Sequence, residues 1–373
     1  MKNFPLNLIK RNIAAIIILI GGSSDSLEKG ALSNCSLISL NQKLKATNYS
    51  FNLNIPRRSP SIFNFKCGHL FVIGGCSGSR MVKRRLFLMS ANKKFFSPAA
   101  LKIEIKNFFT FFFKLAPGCH LNSGELFNLD FSRETENFKI DGKLLNHNNI
   151  RGFSCSAICQ IEGNGGFIFG GYDGNECINQ IIKIEEIEPH NANLLSPLPF
   201  GLKNATALPS LDKQKIWIIG GWDGNKTQKT ILEYNIKNQT TKFCHFLPYP
   251  LECHAIAFPK IIKGIGFIIG GFDGIGLRSE ILVINLNNGN ILEEINNVKL
   301  LKPKENCGAT CFCIDGEKEF LAIFGGWDGY NVLNNMELFE ILQESPWLRR
   351  EENFKKFENL DIIGRNRPAV ICL

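Results

Sequence analysis

A five-residue run, Gly-Gly-aromatic-Asp-Gly, occurs four times in this chain, at Gly170–Gly174, Gly220–Gly224, Gly270–Gly274 and Gly325–Gly329, with intervals of 50, 50 and 55 residues. Self-similarity at such a period means one supersecondary unit repeated, each copy needing its neighbours to bury its apolar surface. A weaker copy stands at Gly74-Gly75-Cys76-Ser77-Gly78, and Gly21-Gly22 lies 53 residues before it. By length alone, 373 residues would suggest two or three domains; the repeat reads instead as one large unit spanning residues 1–373.

The surroundings of each copy repeat as well. An apolar strand precedes every pair of glycines: Ile17–Ile20, Leu70–Ile73, Gly166–Phe169, Ile216–Ile219, Gly266–Ile269 and Phe320–Phe324. About a dozen residues later comes a second apolar strand, such as Arg85–Met89, Ile231–Ile236 or Met336–Ile341, and then an outer strand and a proline turn of the type Leu198-Pro199-Phe200. A strand rich in small residues lies just upstream, as in Ser154–Ile158, Ala205–Leu208, His254–Ala257 and Gly308–Cys311. Four short strands per period, with the small-residue strand on a crowded axis, describe the blade of an all-β propeller of four-stranded antiparallel sheets. The glycines Gly21, Gly22, Gly74, Gly75, Gly170, Gly171, Gly220, Gly221, Gly270, Gly271, Gly325 and Gly326 are structural in this reading. They allow close backbone approach, and Asp-Gly supplies the turn into the next strand.

Taking Phe111–Gly118 and Leu126–Leu129 as a degenerate blade at about 100–150 gives seven blades, with six as the alternative. The C-terminal Arg367–Cys372 has the character of an inner strand with no double-glycine strand after it. It is expected to complete the first blade and close the ring, which removes exposed sheet edges. This makes the apolar run Ile13–Ile20 a strand, although Lys2, Lys10 and Arg11 before it imitate a secretory signal.

These residues resemble kelch repeats. Gly325–Gly329 followed by Leu333-Asn334-Asn335-Met336-Glu337 is most similar to the propellers of kelch-like adaptor proteins, and the likeness covers nearly the whole chain. The resemblance implies a module that binds a partner protein through loops at one face, as an adaptor or scaffold in ubiquitin-ligase or actin-related assemblies. The BTB and BACK domains of such adaptors find no room in this sequence, so the expectation is a stand-alone propeller, a fragment or a scaffold. By position, the resemblance points to Tyr172, Trp222, Phe272 and Trp327, with Asn175, Asn225 and Tyr330 in the adjoining loops. A ring of aromatics with polar neighbours suits binding hot spots, while packing between blades is an equal alternative. Arg58, Arg151 and Arg367, each just before a candidate inner strand, would add contacts to an acidic peptide or else sit in solvated turns.

Other classes fit less well. The net charge of +9 is scattered except around Arg80–Arg85, without the basic stripe of a nucleic-acid protein. The apolar run is too short to span a bilayer, so no membrane partner is expected. Thirteen cysteines form no disulfide framework, and Cys307, Cys311 and Cys313 lack a fourth zinc ligand. Free thiols in such number favour a cytoplasmic protein, with secretion as the alternative. His69, His120, His147, His190, His245 and His254 occur at unrelated points of the repeat, so neither a metal nor another cofactor is expected, and no catalysis. A kelch-fold enzyme acting on a sugar or other small molecule at the channel mouth is the competing reading. Nothing in the sequence fixes an oligomeric state.

Overall fold

The computed structural model describes residues 13–24, 31–41, 46–65, 69–77, 119–128, 142–146, 149–186, 191–295, 298–314, 316–351 and 364–372. Among them every regular element is a strand, and no helix is long and apolar enough to cross a membrane. The strands form six four-stranded antiparallel blades.

Blade one holds β1 (Ile13–Ile20), β2 (Asn34–Asn41) and β3 (Ala46–Asn52). Blade two is built from β4 (Ser61–Phe65), β5 (His69–Ile73), β8 (Ser123–Asn128) and β9 (Gly142–Asn146), with β6 (Cys76–Ser77) and β7 (Cys119–His120) pairing beside it. Blade three runs β10 (Ala157–Ile161), β11 (Gly165–Phe169), β12 (Ile181–Ile184) and β13 (Ala192–Leu195). Blade four follows as β14 (Thr206–Pro209), β15 (Lys215–Ile219), β16 (Thr230–Asn235) and β17 (Thr240–Phe246). Blade five is β18 (Ala255–Ala257), β19 (Ile265–Phe272), β20 (Leu277–Asn285) and β21 (Ile291–Glu294). Blade six is β22 (Gly308–Ile314), β23 (Lys318–Phe324), β24 (Met336–Ile341) and β25 (Leu348–Arg350). The last strand, β26 (Ala369–Cys372), returns to blade one and pairs with β1 from Ile17↔Cys372 to Ile20↔Ala369. The expected closure of the ring by the two ends of the chain is therefore present.

The count of seven blades is corrected to six. Leu126–Asn128, expected in a degenerate extra blade, belong to β8, which pairs with β5 from His69↔Asn128 to Ile73↔Gly124. Blade two already has its third strand there, supplied from far along the chain. The segments Arg85–Met89 and Phe111–Gly118, read as strands from the sequence, lie outside the described residues.

Period-two alternation explains why the second strands are apolar almost throughout. In β15, Ile216 and Ile218 face blade three, while Trp217 and Ile219 face blade five. In β1, Ile17 and Leu19 face blade six, while Ile18 and Ile20 face blade two. Six hydrophobic clusters result, one in each seam between neighbouring blades. The inner strands β26, β4, β10, β14, β18 and β22 touch in succession around the axis.

The double glycines build the seams. The second glycine of every pair donates its N–H to a carbonyl on the linker into the next blade: Gly22 to Arg57, Gly75 to Phe153, Gly171 to Leu202, Gly221 to Leu251, Gly271 to Lys304 and Gly326 to Arg365, at 2.7–2.9 Å. The same carbonyl crowds the first glycine in five of the pairs, and at Gly74 the Phe153 ring does so instead. A Cβ on Gly220, whose φ is +58°, would lie 2.2 Å from the Leu251 oxygen, so close approach and left-handed backbone both demand glycine there.

Candidate functional site

At the double-glycine end of the propeller the four full motifs make four equivalent loops. In each, one aspartate oxygen accepts two backbone N–H groups of the loop. Asp173 receives Asn175 and Glu176, Asp223 receives Asn225 and Lys226, Asp273 receives Ile275 and Gly276, and Asp328 receives Tyr330 and Asn331, at 2.7–3.0 Å. The other oxygen takes a side chain: Arg151 on Asp173, Gln228 on Asp223, Arg278 on Asp273 and Lys302 on Asp328. Burial works against the charge of Asp173, Asp273 and Asp328, but these N–H donors and then the cations hold all three below the usual carboxylate range. The loops are thus stiffened from within.

Tyr172, Trp222, Phe272 and Trp327 occupy one equivalent, half-buried position, each bridging backbone-to-backbone with the linker before its own blade's inner strand, at Ser154, Lys203, Glu252 and Glu305. The Tyr172 hydroxyl donates to the Gly174 carbonyl at 2.8 Å, the His120 ring meets the Tyr172 ring edge-on, and the Lys203 ammonium lies 4.3 Å from its centre. Asn175, Asn225 and Tyr330 are exposed at the loop tips, Tyr330 to 80%. Ile275, at the same position in blade five, is 95% exposed. It was not among the candidates read from the sequence, although alignment of the four motifs places it as the loop residue after Asp-Gly.

The three arginines do not form one group. Arg151 is exposed and already paired with Asp173 and Glu176 of its own chain. Arg58 sits half-buried, its backbone bridging to Cys76 and its charge coupled to Cys155 and Arg367. Arg367 lies on the propeller axis, reaching Asn204 Oδ1 and Cys155 Sγ, both at 2.8 Å from Nη1, and Cys253 Sγ, 3.5 Å from Nη2.

This axial cluster stands on a feature that sequence reading missed. Six residues, Ser59, Cys155, Asn204, Cys253, Asn306 and Arg367, one before each inner strand, have left-handed φ between 51° and 61°. They are linked around the axis by backbone hydrogen bonds: Ser59 donates to Arg367, Arg367 to Asn306, Asn306 to Cys253, Cys253 to Asn204 and Asn204 to Cys155, at 2.7–3.3 Å. Left-handed non-glycine backbone costs free energy, and its repetition at one point of each blade ties it to this ring. The two asparagines were the available hint, since asparagine tolerates that conformation. Among the described residues no group of three or more His, Cys, Asp or Glu side chains is placed to hold a metal ion.

Fold and site together define a six-bladed β-propeller with stiff, aromatic-based loops at one end of its axis. No protein-family model matches the chain, and no curated protein matches it.

Proposed function

We propose that this propeller is a kelch-type protein-interaction module that binds a partner protein or peptide through the loops at its double-glycine end, and that it carries no catalysis in doing so. The observation that carries this reading is the set of four loop tips, Asn175, Asn225, Ile275 and Tyr330, held out on successive blades by the aspartate turns beneath them. Preorganised loops lose little entropy on binding, and an exposed tyrosine beside an exposed isoleucine supplies hot-spot chemistry. Since Arg151, Arg278 and Lys302 already hold carboxylates of their own loops, recognition is read as led by the tips. The resemblance to kelch-like propellers supports a cytoplasmic adaptor or scaffold role, with ubiquitin-ligase or actin-related assemblies as the corresponding settings.

The test is a quantitative pull-down comparing the wild type with an Ile275→Asp, Tyr330→Ala double variant and a Leu194→Ser, Leu292→Ser variant on the outer strands. All four residues are exposed, so folding is preserved in each. A partner depleted about tenfold or more by the tip variant, corresponding to about 1.4 kcal/mol, and retained by the outer-strand variant is the expected result. Partners indifferent to the tip substitutions, or lost equally from both variants, would overturn it.

A further inference from the structure

Cys155 and Cys253 share one guanidinium, that of Arg367, at the axis of the ring. Their surroundings differ in charge. Cys253 has a carboxylate beside it, with its Sγ donating toward Glu252 Oε2 at 3.8 Å. Cys155 has the Arg367 nitrogen at 2.8 Å and the Ser154 hydroxyl at 3.5 Å, and its charged neighbours are Arg367 and Arg58. Burial opposes its ionisation; Arg367 foremost, then Ser154 and Arg58, more than offset that, and the thiol sits below its ordinary range. The titratable groups around it include the Cys177 thiol, and Arg367 in turn faces Glu252 and Glu305. Cys155 is partly exposed as a residue, whereas Cys159, four residues further along in β10, is buried.

We propose that Cys155 is a peroxide-reactive nucleophile, its sulfur paired with the Arg367 guanidinium at the propeller axis and oxidised there to the sulfenic acid by a hydroperoxide. In that step the sulfur attacks the peroxide oxygen that carries hydrogen. The S–O bond forms as the O–O bond breaks, sulfur loses two electrons, and the second oxygen departs as hydroxide or alkoxide, which takes a proton from solvent to become water or an alcohol. The guanidinium stays charged throughout and lies where it stabilises both the thiolate and the departing oxygen.

The chain holds its own controls. Cys177, Cys244 and Cys313 are likewise partly exposed, yet burial foremost raises each of their pKa values. The full-length protein is treated with hydrogen peroxide and dimedone between pH 5.5 and 9, and adducts are quantified by peptide mass mapping. Cys155 is expected to label about tenfold faster than the three controls at pH 6, its larger thiolate fraction outweighing the lower nucleophilicity of a more acidic thiol. Its rate should climb less steeply between pH 6 and 8 than theirs. A Cys155 rate no greater than the controls, or one that climbs as steeply as theirs through pH 8–9, would overturn the proposal. Arg367→Met should steepen the Cys155 profile to match the controls; should that variant fail to fold, the wild-type pH profile alone decides.

Discussion

The six seams of the ring fall into two contiguous halves. At the linker residue whose carbonyl receives the glycine N–H, the seams between blades two and five carry apolar side chains, Phe153, Leu202 and Leu251, each inside a hydrophobic cluster. The seams from blade five through the closure to blade two carry cations at the same point, Lys304, Arg365 and Arg57, all buried. Arg57 bonds Glu125, the Gly74 and Ser123 carbonyls and the Ser123 hydroxyl. Arg365 donates to the Gly21 and Asn34 carbonyls, the Asn34 side chain and the Ser36 hydroxyl, and Lys304 meets Glu337 at 2.7 Å. One backbone geometry is therefore filled by two chemistries. The apolar version tolerates any well-packed shape, while the cationic version fixes partners in the third strand of the following blade, a carboxylate for Arg57 and Lys304 and the Asn34 and Ser36 side chains for Arg365, and it occupies the half where the chain ends must find each other.

Breaking one partner of an ionic seam should give the largest effect. Arg57 and Glu125 have fully buried side chains, so Glu125→Ala leaves an uncompensated charge in the interior and also strips the Asn54 and Ile55 N–H groups of their acceptor. A loss of about 3–5 kcal/mol is expected by chemical denaturation. The double variant Arg57→Met, Glu125→Leu should cost less, because no charge is left unpaired, while the Asn54 and Ile55 N–H groups still lose their acceptor. If the double variant is as unstable as the single, the two chemistries are not interchangeable and the comparison fails.

In the apolar half, Leu251→Ala should cost about 2–5 kcal/mol through the cavity it opens between blades four and five. That seam also holds a titratable group. His254 is buried and neutral, with Nε2 2.6 Å from the Thr206 hydroxyl, and burial lowers its pKa to about 3. The unfolded chain takes up a proton near pH 6.5 that the folded chain refuses, so stability falls as pH drops from about 6.5 toward 3, by about 2 kcal/mol at pH 5. Denaturation of wild type and His254→Gln at pH 7 and pH 5 checks this; the variant should lose the difference between the two pH values. An unchanged difference would assign the acid sensitivity to another seam.

How far these halves could be read from sequence follows from what repeats. The glycine pairs, the apolar second strands and the closure by Ala369–Cys372 were legible because each obeys a spacing and a period. The sixth blade count was lost at blade two, where β5 and β8 are neighbours in space but separated by residues 74–122, so a search at a period of 50 finds room for an extra blade. The seam cations were not singled out from the sequence, because Arg57 and Arg365 find their side-chain partners in β8 and β2, far from them along the chain. The axial ring shares a backbone conformation and no side chain, and Arg58, Arg151 and Arg367 were grouped by nearness to inner strands although they stand at three different points of the repeat.

The smallest expected effect concerns the loops that set blades three to six apart from blades one and two, where Ser23 and Cys76 follow the glycines in place of an aromatic. Asp328 accepts the Tyr330 and Asn331 N–H groups, so Asp328→Ala should cost about 1 kcal/mol, the solvent at the loop replacing part of what is lost. Because the folded-state pKa lies below the unfolded one, the contribution of the charged form is complete above about pH 4 and disappears as pH falls through the folded value. Amide exchange resolves it locally. Tyr330 and Asn331 should exchange faster in the variant while the amides of β23 keep their protection, since their ladder depends on blade six and not on its turn. Loss of protection in β23 would mean that the aspartate turn holds the blade as well as the loop, and that the motif is needed for folding where it occurs even though blades one and two fold without it.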